Sequence, residues 1–306
     1  MKDKELRDFL EKMTIFDNTI LSTYCECPRK LYWFLRGVRP EIDPPYFAFG
    51  RAWGSALGIW HNNKDLGPRV RKNLTIDEAR KFWDKENPTE SGDNSLANLI
   101  QMIELYSEIY STPEQWEVVA NEIGFCVDFP GSTFQYAGAL DAEISWEPYG
   151  ILAREDKTTG QWIGKSLLKQ WDYSTQVTGY QWALQEILGK EVFGILMNYA
   201  SKKNRKEQEL RFTRDLVKRS NIDIYNWVDE TRQIMFAIVK EIENWNWRRS
   251  GMRNPMNCAG GPGKSSCTYS ILCKDQRMFT QLEPEGFPGI KVIEELWKPW
   301  ERLGED

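Results

Sequence analysis

The chain has 306 residues, 41% of them apolar, with 40 Lys plus Arg against 45 Asp plus Glu, six Cys and one His. That length supports one large or two small domains, the composition excludes a disordered chain, and no apolar run approaches the roughly 18 residues of a membrane-spanning helix. A lone His leaves little room for triad hydrolases or HExxH zinc proteases, so carboxylate, lysine and thiolate chemistry remain.

The first residues, Met1 to Leu6, mix both signs of charge and lack the apolar stretch of a secretory signal. They predict an intracellular, reducing setting in which Cys residues are free, catalytic or metal-bound. Periodicity predicts a helical region to about Gly37, a Pro-rich connection, and a helix from Phe49 to Asn62. Thr75 with Glu78 reads as a capping box opening a helix that stops before Pro88, and Leu96, Leu99, Ile103 and Tyr106 repeat at helical spacing. From Trp116 the pattern becomes extended: Trp116 to Phe129, Phe134 to Trp146 and Ile151 to Lys157, with turns at Pro130-Gly131 and around Pro148. A helix from Ser166 to Leu188, a strand from Val192 to Tyr199 and a long helix from Asn221 to Trp247 follow. This order predicts an α+β or α/β core ahead of a Cys-bearing tail.

The strongest local signal is Gly138-Ala-Leu-Asp141 followed by Arg154-Glu155-Asp156-Lys157. A hairpin centred near Pro148 sets Asp141 opposite Glu155. Two carboxylates facing each other about 5 Å apart repel, which points to a divalent cation between them. Period-2 alternation puts Lys157 on the face of Glu155 and turns the Asp156 side chain to the other. The alternative is a solvated hairpin face. Gln176 and Tyr180, four apart on the next helix, share a side and could address the same point.

Cys258, Cys267 and Cys273 are separated by eight and then five intervening residues in a Gly- and Pro-rich tail. With Cys27 they would make a tetrathiolate site for iron-sulfur or zinc, with Cys25 as a substitute for Cys27; Cys126 reads as core. Gly260 to Ser265 imitates a phosphate loop but lacks its first Gly and its preceding strand, which argues against an ATPase. Between Lys202 and Arg219 there are eight basic residues and three acids. Lys202, Lys203, Arg205 and Lys206 lead this run and are candidates for a DNA track.

In their order along the chain, these pieces resemble the RecB-like PD-(D/E)XK nucleases of the Fe-S branch, similar to CRISPR-associated RecB-like exonucleases, the AddB nuclease domain and related phage exonucleases. The resemblance runs from about Leu21 to Cys273. It carries Cys27-Pro28-Arg29, the Gly-led helix at Phe49-Gly50, the Asp141 strand, the Glu155-x-Lys157 strand, the Gln176-x-x-x-Tyr180 helix and the Cys tail.

The resemblance implies a restriction-endonuclease-like α/β (α+β) core, a mixed sheet flanked by helices. Residues 1–115 would form a helical N-terminal region, 116–220 the nuclease core, and 221–306 the last helix and Cys tail, all in one integrated domain. It implies hydrolysis of DNA, by an exonuclease ahead of an endonuclease, in repair, recombination, phage or CRISPR-related processing. The implied setting is the cytoplasm, away from membranes, on a single-stranded DNA end, with a protein partner in a recombination or CRISPR complex.

Asp141, Glu155 and the Asp156 carbonyl would hold Mg²⁺ or Mn²⁺, which polarises the scissile phosphate and activates water. Lys157 would orient that water, with Gln176 and Tyr180 in support. Cys27, Cys258, Cys267 and Cys273 would hold a structural 4Fe-4S cluster, or Zn²⁺ in its place. The family's Gly-led helix commonly bears a His four residues after the Gly. Here Gly54 stands there, and His61, two helical turns further on, would be a candidate ligand if the helix were shifted or differently oriented. That departure also motivates a rival reading, a DNA- or partner-binding module that keeps the fold without catalysis.

Overall fold

The computed structural model describes residues 7, 10–11, 13–112, 114–204, 211–244, 255–260, 266–274 and 287–293. In chain order the elements are β1 (Ile15–Asp17), α1 (Asn18–Glu26), α2 (Pro28–Leu35), β2 (Val38–Pro40), α3 (Pro45–Asn62), α4 (Pro68–Glu86) and α5 (Leu96–Ile109). Three long strands follow, β3 (Trp116–Asp128), β4 (Gln135–Trp146) and β5 (Gly150–Thr159). After them come α6 (Lys165–Leu168), a 3₁₀ turn (Lys169–Tyr173), α7 (Thr175–Leu188), β6 (Gly194–Ser201), β7 (Phe212–Val217), α8 (Asn221–Asn244), α9 (Pro255–Cys258), α10 (Ser270–Lys274) and β8 (Ile290–Val292).

The main sheet has six strands in the order β1-β4-β5-β6-β7, with β3 also pairing β4, and β2 and β8 form a separate ribbon. Pairing is parallel for β1 with β4 and for β5 with β6, antiparallel for β4 with β5 and for β6 with β7. The result is a mixed sheet flanked by helices: the α/β core that the strand and helix order predicts, in the restriction-endonuclease-like form that the resemblance implies.

The structure divides into two compact units. One comprises Met1–Asp43, Cys126–Gly138 and Asn226–Trp300, the other Pro44–Phe125, Ala139–Tyr225 and Glu301–Asp306. In the second unit, Trp53 and Trp60 of α3, Ala79 and Trp83 of α4, and Leu99, Met102 and Tyr106 of α5 form a core against Ala200 of β6 and Phe212 of β7. Each fully buried large side chain contributes roughly 1.5–3 kcal/mol, so this cluster fixes the three helices over one face of the sheet. Gly194 opens β6 beside β7: an added Cβ would come within 2.6 Å of the Val217 carbonyl oxygen.

Several local expectations are corrected. The helix expected from Ser166 to Leu188 is broken, because Ser174 caps α7 with its hydroxyl accepting from the Val177 N–H. Thr75 lies inside α4, its hydroxyl donating to the Arg71 carbonyl, and Gly67 with Pro68 opens that helix instead. Part of the basic run is the strand β7, and Cys126 is exposed. Its position on β3 points its side chain away from the core.

Candidate active site

β4 and β5 form a hairpin whose pairs run from Trp146 and Gly150 to Ala142 and Arg154, so the next pair in this register is Asp141 and Glu155. Gly150, at φ +80°, lets the chain turn back into β5 in a backbone region that a side chain disfavours. Asp141 Oδ2 accepts the Asp156 backbone N–H at 2.7 Å. Glu155 Oε2 lies 2.6 Å from Lys157 Nζ, with the Glu155 side chain 3% exposed and that of Lys157 30% exposed.

Two acids share this point with one amine. Burial, and then the neighbouring Glu155, push Asp141 up to about 8, and burial likewise raises Glu155. Burial pulls Lys157 down, but the carboxylates of Glu155 and Asp141 overcome it and raise its pKa above the ordinary lysine value. Glu155 Oε1 is buried without a hydrogen-bond partner. A strained pair of acids and an orphaned buried oxygen are what a hard divalent cation would relieve, so the donor set fits Mg²⁺ or Mn²⁺. It is a sparse set: among the described residues no group of three or more His, Cys, Asp and Glu side chains is arranged to hold a metal.

The other face of the sheet holds a polar network that the sequence reading missed. The Asp156 side chain is 1% exposed and accepts from Arg154 at 3.1 Å and from Asn198 at 2.7 Å. Asn198 also donates to the Tyr106 hydroxyl, as does Arg214. With both of those donors pointing in, the Tyr106 proton is left for His61 Nε2, 3.3 Å away. His61 Nδ1 stands 3.3 Å from Glu114 Oε1, near enough for attraction but outside good hydrogen-bond geometry. Burial, then the Arg154 charge, lower the His61 pKa to about 3 and keep the ring neutral. Burial acts to raise the pKa of Glu114, but the polar edge of the His61 ring and, more firmly, the charge of Arg71 outweigh it and lower the pKa, with the Arg71 and Arg214 guanidiniums 3.1 and 3.2 Å away. The only His therefore faces Tyr106 and Glu114, and is not brought to Asp141 and Glu155. The i, i+2 pairing of Arg154 with Asp156 was the one available sequence signal for this network.

Tyr199 is a second missed residue. It pairs with Lys157 in the β5–β6 register, is 2% exposed, and its buried hydroxyl has no hydrogen-bond partner. Gln176 and Tyr180 do meet on α7, the Gln176 amide donating to the Tyr180 hydroxyl at 2.9 Å. Lys202 and Lys203 follow β6 directly, while Arg205, Lys206 and the loop at 261–265 lie outside the described residues.

In the first unit, Cys27, Cys258, Cys267 and Cys273 all line one small cavity. The Cys267 N–H donates to the Cys258 carbonyl at 3.1 Å, the Asn257 amide to the Glu26 carbonyl, and the Tyr269 hydroxyl to the Val38 carbonyl. Burial raises the Cys267 and Cys273 thiols, with neighbouring thiols adding to the effect. Four soft donors around one space suit iron-sulfur or zinc by type, although their spacing here is not that of a closed metal site.

No curated protein matches the chain. Among solved structures it is similar to a protein from Eubacterium rectale assigned provisionally as an exonuclease, at 12% identity over 80% of this chain and 86% of that one, with a TM-score of 0.45. It is also similar to SSO0001, at 13% identity over 63% and 85% of the two chains with a TM-score of 0.31. A third similarity is to LHK-Exo in complex with dAMP, at 14% identity over 67% and 97% with a TM-score of 0.29. The profile of the PD-(D/E)XK nuclease superfamily matches residues 18–274, a span that contains the Asp141, Glu155 and Lys157 hairpin and the four converging cysteines. A match over that much of the chain assigns it: the chain belongs to the PD-(D/E)XK nuclease superfamily.

Proposed function

We propose that the chain is a metal-dependent deoxyribonuclease acting from DNA ends, with Asp141, Glu155 and Lys157 as its catalytic set. The observation that carries this reading is the buried carboxylate pair opposed across the β4–β5 hairpin with Lys157 Nζ on Glu155. Asp141, Glu155 and the Asp156 carbonyl would hold Mg²⁺ or Mn²⁺. The bound cation supplies Lewis-acid polarisation of the phosphate and lowers the pKa of water.

Because the carboxylates raise its pKa, Lys157 stays cationic and is no general base. It donates, orienting the attacking water and offsetting the charge that grows on the phosphate oxygens. Gln176, bonded to Tyr180, would act as a positioning residue. The Asp156 N–H holds Asp141 in place, and the network behind it fixes that strand.

A 4Fe-4S cluster on Cys27, Cys258, Cys267 and Cys273, with Zn²⁺ as the alternative, would brace the tail against the N-terminal segment. What supports it is the convergence of thiols from three separate stretches on one cavity.

The reading is tested with end-labelled linear DNA and covalently closed circular DNA, each with Mg²⁺, Mn²⁺ or EDTA. Metal-dependent release of nucleotides from linear DNA, with circles spared, is expected. Intact linear substrate in both metals would remove the nuclease reading, and nicked circles would remove end dependence. Visible absorption and metal content of anaerobically purified protein decide between iron and zinc.

A further inference from the structure

Tyr199 stands beside Lys157 in the register of β5 with β6 and beside Thr213 in that of β6 with β7, so it belongs to the face of the sheet that carries Glu155 and Lys157. It is 2% exposed, and its buried hydroxyl has no hydrogen-bond partner among the described residues. Trp171, in the 3₁₀ turn before α7, packs against it with ring centres 5.9 Å apart. The Trp171 indole N–H is likewise buried and unpartnered. Arg219 pins that turn by donating to the Trp171 carbonyl and, at 2.8 Å, to the Thr178 hydroxyl of α7.

Packing alone would be served as well by Phe at this position, which would bury no orphaned hydroxyl. Burial, and then the charge of Asp215, push the Tyr199 hydroxyl above the ordinary tyrosine range, so it keeps its proton and stays a donor. Lys157, Asp172 and Glu155 also act on it, from beyond hydrogen-bond distance. Two buried donors without acceptors, on the face of Lys157, suit an incoming group that brings acceptor oxygens. The neighbouring acids repel a bare anion, so that group has to arrive with a cation at Asp141 and Glu155. A phosphodiester meets both conditions: one nonbridging oxygen goes to the cation and the other is left for a donor.

We infer that Tyr199 is a further catalytic residue, its hydroxyl donating to the nonbridging oxygen of the scissile phosphate that the cation leaves free, with Trp171 fixing the ring. The inference rests on the nuclease reading and deepens it. It adds to Lys157 a neutral donor from the next strand, aimed at charge that grows in the transition state.

The test is cleavage of end-labelled linear DNA by the full chain in Mn²⁺, comparing wild type with Tyr199→Phe. The variant is expected to lose on the order of 10²-fold in kcat at unchanged KM. Its melting temperature is expected to equal or exceed that of wild type, because an unpaired buried hydroxyl is gone. A phosphorothioate at the cleaved linkage gives a readout that packing would not move, since sulfur is a weak acceptor. The loss in Tyr199→Phe is expected to shrink on one diastereomer and to persist on the other. Wild-type kcat in the variant, or a change confined to KM, would overturn the inference and leave the nuclease reading standing. An equal loss on both diastereomers would reduce Tyr199 to a packing role and overturn it as well. No cleavage by wild type would remove the nuclease reading and this inference with it.

Discussion

Asp156 donates its backbone N–H to Asp141 Oδ2 at 2.7 Å, yet the side chains of these two acids lie on opposite faces of the sheet. One residue thus fixes a proposed catalytic carboxylate with its backbone while its own carboxylate is locked into Arg154 and Asn198. Breaking a buried ion pair by removing one partner costs about 3–5 kcal/mol. Asp156→Ala is therefore expected to destabilise the fold by that amount, whereas Glu155→Gln, which removes a like charge from Asp141, leaves the metal-free protein equally or more stable. Urea unfolding in EDTA measures both; a larger loss for Glu155→Gln would contradict the assignment of faces.

Cleavage is expected to depend on Asp141, Glu155 and Lys157 in different ways. Asp141→Asn and Glu155→Gln remove the donors for the cation and abolish metal-dependent activity. Lys157→Ala lowers kcat on the order of 10²–10³-fold, the usual effect of deleting one preorganised donor. Gln176→Ala is expected to cost less, since that side chain is assigned to orient and not to ligate. Single-turnover cleavage rates decide, and wild-type turnover in any of the first three variants would undo the assignment.

The pH dependence of the metal-free protein has a definite sign. Asp141 is raised from 3.8 to about 8, so the folded state holds a proton that the unfolded chain releases. Stability from this group is fully present below the unfolded value and is lost as pH rises through that interval. Melting temperatures in EDTA are expected to fall between about pH 4 and pH 8 relative to Asp141→Asn, and Mn²⁺ is expected to reverse the fall. A flat difference between the two proteins would refute the shift.

His61 predicts the opposite slope. Its folded pKa is lowered from 6.5 to about 3, so the unfolded chain takes up the proton first. Stability is lost as pH falls from about 6.5 toward 3, and His61→Asn is expected to flatten that limb. Denaturant midpoints at pH 7, 5.5 and 4.5 test it. Unchanged metal dependence of cleavage in His61→Asn is also expected, since the ring faces Tyr106 and Glu114.

The thiols predict a loss of folding. Four-thiolate metal binding contributes about 10 kcal/mol in small zinc domains, more than the margin of a typical protein. Cys27→Ala, Cys258→Ala, Cys267→Ala and Cys273→Ala are each expected to lower soluble yield and bound metal, whereas Cys126→Ala, at an exposed position, retains both. Equal metal content across all five variants would separate the thiols from any metal.

The hairpin register was legible from sequence because one turn fixes every pair after it, and the turn residues around Pro148 and Gly150 are unambiguous. The α7 start was not, because the Ser174 cap competes with an unbroken apolar period and local pattern alone does not weigh the two. Thr75 and Glu78 mimic a helix start, but the earlier Gly67-Pro68 start prevails once α4 packs on α3. His61, Tyr106, Glu114, Asn198 and Arg214 come from five separate elements or loops, so their convergence is a property of the folded sheet with no local signature.

Strand β5 carries Arg154, Asp156 and Thr158 toward one side and Glu155, Lys157 and Thr159 toward the other. Its reading frame is therefore a structural quantity. Inserting or deleting one residue between Gly150 and Arg154 would exchange the two sets, sending the reactive pair into the His61 network and delivering a locked ion pair to the substrate. Point substitutions along this strand grade their effects, while single-residue insertions or deletions act as all-or-none events. Length in β5 is thus held more tightly than composition.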